Sequence, residues 1–365
     1  MTAPPKYHCS VTALETDEDW QVHGPRIEQL ESRCPPSLWL NTAYYRAVLA
    51  FMDPPPRCWF VEIADSPDAP PFAGAVFREE TFRRSTLKPR ALRPFDDVFF
   101  MVIPFFLAMP GREGDALEGM AQAVKRLARA SHCDIVMLRR VREDLALAWA
   151  GRLAAHGYRP QIKPATLAPF VSIPDDFDSF LADQHGTDLR DVRMQRRRIR
   201  NRWKTEAITE RFKAAELDDA AYARILERFE ALRAKTWQHQ WETESPRVDH
   251  ERQRASYRAV FDIWRRRGAL DFCFVTVAGQ DAAFMVAVRD TDRVWDLLTG
   301  FAPEFRSYSM GKVAFIEAMR AHHAEGFRRF ELGGEVIGWK AAWATAMPRV
   351  ASLEFPTGSW KGLIW

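Results

Sequence analysis

The run Arg306-Ser307-Tyr308-Ser309-Met310-Gly311-Lys312 follows a stretch that reads as a strand and precedes one that reads as a helix. Free backbone N–H groups, the positive end of the helix dipole and two cationic side chains would then point at one place, the arrangement by which a helix end holds a phosphate. Gly311 lets a pyrophosphate approach the backbone closely. The run is not a P-loop, because Arg306 stands where that motif needs Gly and Val313 replaces the Ser or Thr that would hold magnesium. The chemistry indicated is recognition of a phosphate-bearing ligand and not nucleotide hydrolysis.

A second cationic feature lies upstream. Between Asp188 and Lys204 the chain carries Arg190, Arg193, Arg196, Arg197, Arg198, Arg200, Arg202 and Lys204 against Asp188 and Asp191. Leu189, Val192, Ile199 and Trp203 keep helical spacing, so one face is anchored in a core while the rest displays arginines. Such a density of like charge implies an anionic neighbour. Three partners fit: the phosphates of a donor or of a nucleotide- or lipid-linked acceptor, an acidic acyl-carrier protein, or RNA. Arg197 is a candidate for holding an acceptor. Further on, Trp237 and Trp241 flank His239 just past a helix expected over 219–235, a stacking platform for a sugar or aromatic acceptor or else hinge packing.

Other chemistry is missing from the sequence. It has no H-E-x-x-H, its nine histidines are dispersed, and the adjacent His322 and His323 diverge on a helix, so no metal is expected. Neither a G-x-S-x-G elbow nor a dinucleotide glycine fingerprint occurs.

The elements that must position these residues come in two series. In the first half, residues 58–64 and 72–77 read as strands. Leu117, Met120, Val124 and Leu127 mark an amphipathic helix, residues 134–138 a strand, and residues 143–156 a helix closed by Gly157. In the second half, residues 270–277, 282–288 and 294–300 form an antiparallel meander with short polar turns, followed by a helix over 311–325 capped by Gly326 and a strand over 328–332. The repeated order is the trace of a duplicated α/β unit. A boundary near Pro174 gives domains 1–174 and 175–365.

Composition bounds the rest. A chain of 365 residues with 47% hydrophobic and 28% charged letters has enough apolar surface for about two domains. Lys+Arg 52 against Asp+Glu 49 leaves a net charge of only +3, which argues against broad nucleic-acid binding. The five cysteines are scattered and never form a C-x-x-C pair, as expected of a reducing cytoplasm. Residues 1–6 hold no signal-peptide core, and the apolar run 98–109, broken by Pro104, is half a membrane span and reads as a buried strand pair.

The segment 279–340, with Tyr308, Ser309 and Gly311, then Phe330 and Gly333, then Lys340 and Trp343, resembles GNAT-type acyltransferases. More closely it resembles the branch known from cellulose-biosynthesis proteins, the CelD/BcsL type, which is similar to FemAB-like tandem transferases. It departs from that branch's patterns by Met310 for Pro, Glu331 for Asp, Trp339 for Tyr and Gly338 for Pro. The resemblance implies two tandem GNAT-like α/β domains, each a mixed, mostly antiparallel sheet flanked by helices. It implies an acyl-thioester donor, usually acetyl-CoA, with its pyrophosphate on the helix near Gly311 and its pantetheine between the strands at Val294 and Arg328. Arg306, Tyr308, Ser309, Met310, Gly311 and Lys312 are the expected donor-binding residues. An amine attacking a thioester needs a base at the mouth of that wedge, for which Asp296, Glu331 and Glu335 are candidates, while Tyr308 could protonate the leaving thiolate. Lys340 would pair with one of the acids.

The first copy offers only Gly111-Arg112-Glu113-Gly114 in place of the Tyr-Ser-x-Gly loop, so it is expected to be structural and to wall the acceptor cleft. The expected activity is transfer of an acyl group, acetyl first, from CoA to an amine of a bacterial glycan or glycan precursor. The alternatives are transfer of a longer acyl chain from CoA or carrier protein to a peptide or amino-acid amine, or a non-catalytic scaffold that binds an anionic partner through the arginine helix.

Overall fold

The computed structural model describes residues 6–52, 54–82, 88–95, 105–236, 250–333, 338–359 and 362. They fall into two compact units, one made of residues 1–168 with 334–336 and 348–365, the other of 169–333 with 337–347.

The first unit begins with β1 (His8–Leu14), α1 (Asp17–Glu31) and α2 (Thr42–Leu49). The antiparallel run β2 (Cys58–Ala64), β3 (Ala73–Thr81) and β4 (Arg90–Pro94) follows, with β5 (Leu107–Ala108) on β3. Next come α3 (Glu113–Ser131), β6 (Ile135–Arg142), α4 (Glu143–Ala155) and β7 (Gln161–Leu167). α1 starts on a capping box: Thr16 and Asp19 each satisfy the other's backbone N–H, a signal readable as Thr-x-x-Asp. Its sheet runs β1-β2-β3-β4-β6 and then takes up β14 (Arg349–Pro356) before β7. Only the β4–β6 pair is parallel. α3 lays Leu117, Met120, Val124 and Leu127 into a core with Ile63, Trp149 and Phe355.

The second unit repeats the order. β8 (Phe170–Ser172), α5 (Phe177–Trp203) and β9 (Ala207–Lys213) lead to α6 (Asp219–Arg233) and α7 (His250–Arg266). The meander β10 (Leu270–Val277), β11 (Gln280–Arg289) and β12 (Val294–Phe301) follows. Then come a 3-10 turn (Pro303–Tyr308), α8 (Met310–Ala324), β13 (Arg329–Glu331) and α9 (Gly338–Trp343). The sheet runs β8-β13-β12-β11-β10-β9, again with one parallel pair, β12–β13. Phe229 of α6 meets Phe272 and Phe284 at ring-centroid distances of 5.8 and 5.1 Å, and with Phe261 these rings fill one side of the sheet. Each such contact adds about 1 kcal/mol to the area it buries. α8 covers the other side with Val313, Ala314, Phe315 and Met319.

From β1 in the first unit and from β9 in the second, both read strand, two helices, three strands, helix, parallel strand, helix, with β5 added in the first and β8 and α5 preceding in the second, a duplicated α/β architecture. The division of the chain differs from a single cut at residue 174. The first unit ends at Ala168, and the C-terminal residues from Pro348 return to it, because Val350, Leu353 and Phe355 of β14 pair with β6 and β7 and complete the first core. The run 98–109 lies outside the described residues up to residue 104, and its end forms the short β5.

Candidate functional site

β12 and β13 are paired only at Val294↔Phe330 and Trp295↔Glu331. β12 continues to Phe301, whereas the chain leaves β13 at Leu332, whose N–H donates to Pro169 O at 3.0 Å. The two parallel strands therefore part at Asp296. At this point β12 also carries a bulge: Ala287 faces Asp296 and Val286 faces Leu298, so Leu297 is an extra residue. One inserted residue reverses the alternation beyond it. Asp296 and Thr299, three apart, thereby share a face, and the Thr299 hydroxyl donates to Asp296 Oδ1 at 2.7 Å.

Register also decides which acid faces where. Asp296 lies across from Ala287, and Ala287 from Asp271, which reaches His322 of α8 at 3.4 Å; the side chain of Asp296 is therefore on the α8 side. Glu331 lies across from Trp295 and is on the opposite side. There it accepts from Arg329 Nε at 2.7 Å and Arg293 Nη1 at 3.2 Å, so two guanidinium groups already occupy it. Asp296 is buried, and burial pushes its carboxyl above the usual range, with Lys340 and the Thr299 hydroxyl pulling the other way.

α8 opens from the 3-10 turn through Ser309, which sits in the left-handed region at φ 53° and ψ 35°. No side chain caps the helix and no acid stands in its first turn; the Lys312 N–H donates to the Ser309 carbonyl at 3.0 Å, which leaves the amides of Met310 and Gly311 for solvent or a ligand. Ser309 Oγ lies 3.4 Å from Asp191 Oδ2, pointing away from the capping position. Tyr308 and Met310 are buried beneath the turn. A Cβ on Gly311 would come to 3.3 Å from Phe301 Cδ1, so the glycine keeps the helix start close to the end of β12. Arg306 is exposed and makes no ion pair with a described residue.

Lys312 is differently placed from the sequence expectation of a free cation. Its Nζ lies 2.6 Å from Asp188 Oδ1 and 3.2 Å from Asp191 Oδ2 on α5. Burial lowers its pKa, but those two carboxylates more than compensate and raise it overall. The nearby cation that sequence reading did not single out is Arg198. Its Nη1 approaches the Ser307 carbonyl at 3.5 Å and its guanidinium lies 5.6 Å from the Tyr308 ring. Arg197 is exposed on the same helix. Trp237, His239, Trp241 and Glu335 lie outside the described residues.

Asp271, His322 and Glu325 converge closely enough to suggest a metal site. The space is taken by Arg211, which donates to Asp271 and to Glu325 at 2.7 Å, with Lys213 at 2.8 Å from Glu325 and Arg289 at 3.5 Å from Asp271. Three cations around two carboxylates do not suit a metal ion, and burial with Arg211 holds the His322 imidazole down at about 3. The group is an ion-pair cluster at the end of α8.

Residues 190–341 match the family model described as Acetyltransferase (GNAT) domain. Among solved structures, the chain is similar to FemX, with a TM-score of 0.60 at 11% identity, covering 94% of this chain and 96% of that one. It is similar to the C-terminal domain of an Agrobacterium fabrum protein assigned as a lysylphosphatidylglycerol synthetase, with a TM-score of 0.54 at 11% identity over 94% and 95% of the two chains. It is also similar to L-PGS from Bacillus licheniformis, with a TM-score of 0.53 at 10% identity over 91% and 90%. No curated protein matches it by sequence. Likeness at this identity concerns the fold alone. Among the described residues no helix is long and apolar enough to cross a membrane.

Proposed function

We propose that the second unit is an N-acyltransferase that takes an acyl group, acetyl in the first instance, from CoA and delivers it to an amine of a glycan or glycan precursor. The observation that carries this reading is the parting of β12 and β13 at Asp296 beside an uncapped α8. A parted parallel pair offers backbone hydrogen-bonding groups to an extended, amide-bearing pantetheine, and the free helix end suits the pyrophosphate. The match of residues 190–341 to a GNAT domain agrees with it. The glycan acceptor rests on the CelD/BcsL-type motif at Tyr308, Ser309, Gly311, Phe330, Gly333, Lys340 and Trp343.

In this reading the amides of Met310 and Gly311 hold the pyrophosphate, and Arg306 and Arg198 supply charge beside them. The thioester supplies the electrophilic carbonyl. A bond from the amine nitrogen to the carbonyl carbon replaces the carbon–sulfur bond. Asp296 takes the proton the amine loses, and the Tyr308 hydroxyl gives one to the departing sulfur. Asp296 suits the base role better than Glu331, whose oxygen is committed to Arg293 and Arg329. Burial also raises the Asp296 pKa toward that of a useful acceptor of protons. Calorimetry with acetyl-CoA tests the donor assignment: the intact protein should bind it and Gly311→Glu should abolish binding, since a carboxylate at the helix end repels the pyrophosphate. No binding by the wild type, or equal binding by the variant, overturns it.

A further inference from the structure

α5 divides cleanly by helical position. Val192, Gln195 and Ile199 are buried, Asp188 and Asp191 reach Lys312, and Trp203 packs on Phe305 at 5.5 Å. The outward side shows Arg190, Arg193, Arg197 and Lys204, all exposed and none in an ion pair with a described residue. In their midst stands Met194, 50% exposed. The stripe is about 20 Å long at 1.5 Å per residue. Its cations at i, i+3, i+7 and i+14 match the spacing at which another helix presents acids on one face.

Two further observations identify the partner. Met194 is flanked by arginines four positions before it, one before it, and three and four after it, an apolar contact inside a cationic ring, which is the make-up of a protein docking site. A surface that binds single-stranded nucleic acid would display aromatic rings for stacking, and the one aromatic side chain in this stretch, Trp203, is turned onto Phe305. The stripe also belongs to the helix that braces the turn opening α8, through Arg198 at Ser307 and Tyr308. That turn is where the phosphate of a pantetheine donor would emerge.

From these placements we infer that the outward face of α5 docks an acidic carrier protein whose acyl group is held as a thioester on a phosphopantetheine arm. The inference rests on the donor reading above and names a second source of the same arm. The carrier's acidic helix lies along Arg190, Arg193 and Arg197 with an apolar side chain against Met194, and its arm enters between β12 and β13 with its phosphate at the start of α8. The bond changes are those given for CoA, and the thiol product stays on the carrier.

The test is surface plasmon resonance of the full chain against a bacterial type II acyl-carrier protein charged with an octanoyl thioester, at low and physiological salt, with acetyl-CoA calorimetry in parallel. The wild type should bind the charged carrier, more weakly as salt rises. The double variant Arg190→Glu/Arg193→Glu should weaken carrier binding at least about tenfold while its acetyl-CoA affinity and thermal unfolding stay those of the wild type. Binding of acetyl-CoA without binding of the carrier overturns the carrier inference alone. So does carrier binding that the charge reversal leaves unchanged, or tighter binding of oligouridylate than of the carrier. Failure of both ligands to bind overturns the donor reading with it.

Discussion

Mild acid should loosen the second unit before most of its carboxylates titrate, and one buried histidine sets the size of the effect. His322 is buried at the end of α8, where burial and the Arg211 guanidinium hold its pKa at about 3, against about 6.5 for a free histidine. The folded value lies below the unfolded one, so between them the unfolded chain binds the extra proton. The stability is complete above about pH 6.5 and drains away as the pH falls toward 3. Between pH 7.5 and 5.0 the difference integrates to about 2 kcal/mol, a factor of roughly 30 in the unfolding equilibrium. Glu325 stays out of this window. Burial would raise its carboxyl, but Arg211 and Lys213 hold it at about 2, so its share is lost only below about pH 4.5. Asp271 works in the opposite sense, because burial raises its pKa despite Arg211. A variant must therefore isolate the imidazole. Urea unfolding of the wild type and of His322→Gln, read by hydrogen exchange in β10 and α8 so that the second unit reports alone, should show the ~2 kcal/mol loss in the wild type only. Equal losses in the two proteins would refute the assignment to His322.

Other substitutions separate catalysis from architecture. Asp296→Asn should lower kcat by about 100-fold or more with acetyl-CoA affinity unchanged. The wild-type rate should fall on the acid side through a pKa above the usual carboxylate range, a limb the variant lacks, and a pH–rate profile of each reads it. Glu331→Gln leaves Arg293 and Arg329 facing a neutral group and should cost stability by about 1–2 kcal/mol, measured by thermal unfolding. Its loss of kcat should be the smaller of the two. In the first unit a Cβ on Gly119 would stand 2.3 Å from Ile63 Cγ2, between α3 and β2. Gly119→Ala should therefore destabilise that unit by about 2 kcal/mol, seen as earlier exchange in β2 and α3.

How much of this was written in the sequence depends on the range of the interaction. The apolar spacing of Leu117, Met120, Val124 and Leu127 announced α3, and polar turns at 278–281 and 290–292 announced the meander β10–β12, because helix faces and hairpins are decided locally. The inward set Val192 and Ile199 was equally plain. β14 was not foreseen, since its partners β6 and β7 are far away in the chain and nothing in Arg349–Pro356 names them. The bulge at Leu297 was invisible for the same reason, and with it the pairing of Asp296 and Thr299. Strict alternation assigns those two to opposite faces. Of the candidate acids, Asp296 and Glu331 could be ranked only after register put them on different sides of the sheet, and Lys312 looked free only because Asp188 and Asp191 lie on another helix.

The two copies explain why the anion site should be sought in one of them. Each has a parallel pair joined at just two positions, Ala91↔Ile135 and Leu92↔Val136 in the first, Val294↔Phe330 and Trp295↔Glu331 in the second. Each has a helix entering beside that pair. In the first copy the helix end is already filled by the chain's own acids. Glu113 accepts from the Gly111 N–H at 3.2 Å, and Asp115 takes Lys6 at 3.2 Å, Arg112 at 2.7 Å and the Tyr7 hydroxyl. Those contacts, the Tyr7 hydrogen bond foremost, outweigh desolvation and hold the Asp115 carboxyl at about 2, so it remains charged across the physiological range. An incoming phosphate would meet two carboxylates at α3. At α8 the first turn itself holds no acid, the two nearby carboxylates, Asp188 and Asp191 of α5, are paired with Lys312, and Arg306 is exposed. The copies thus differ in which charges belong to the first helical turn and in how the nearby acids are paired.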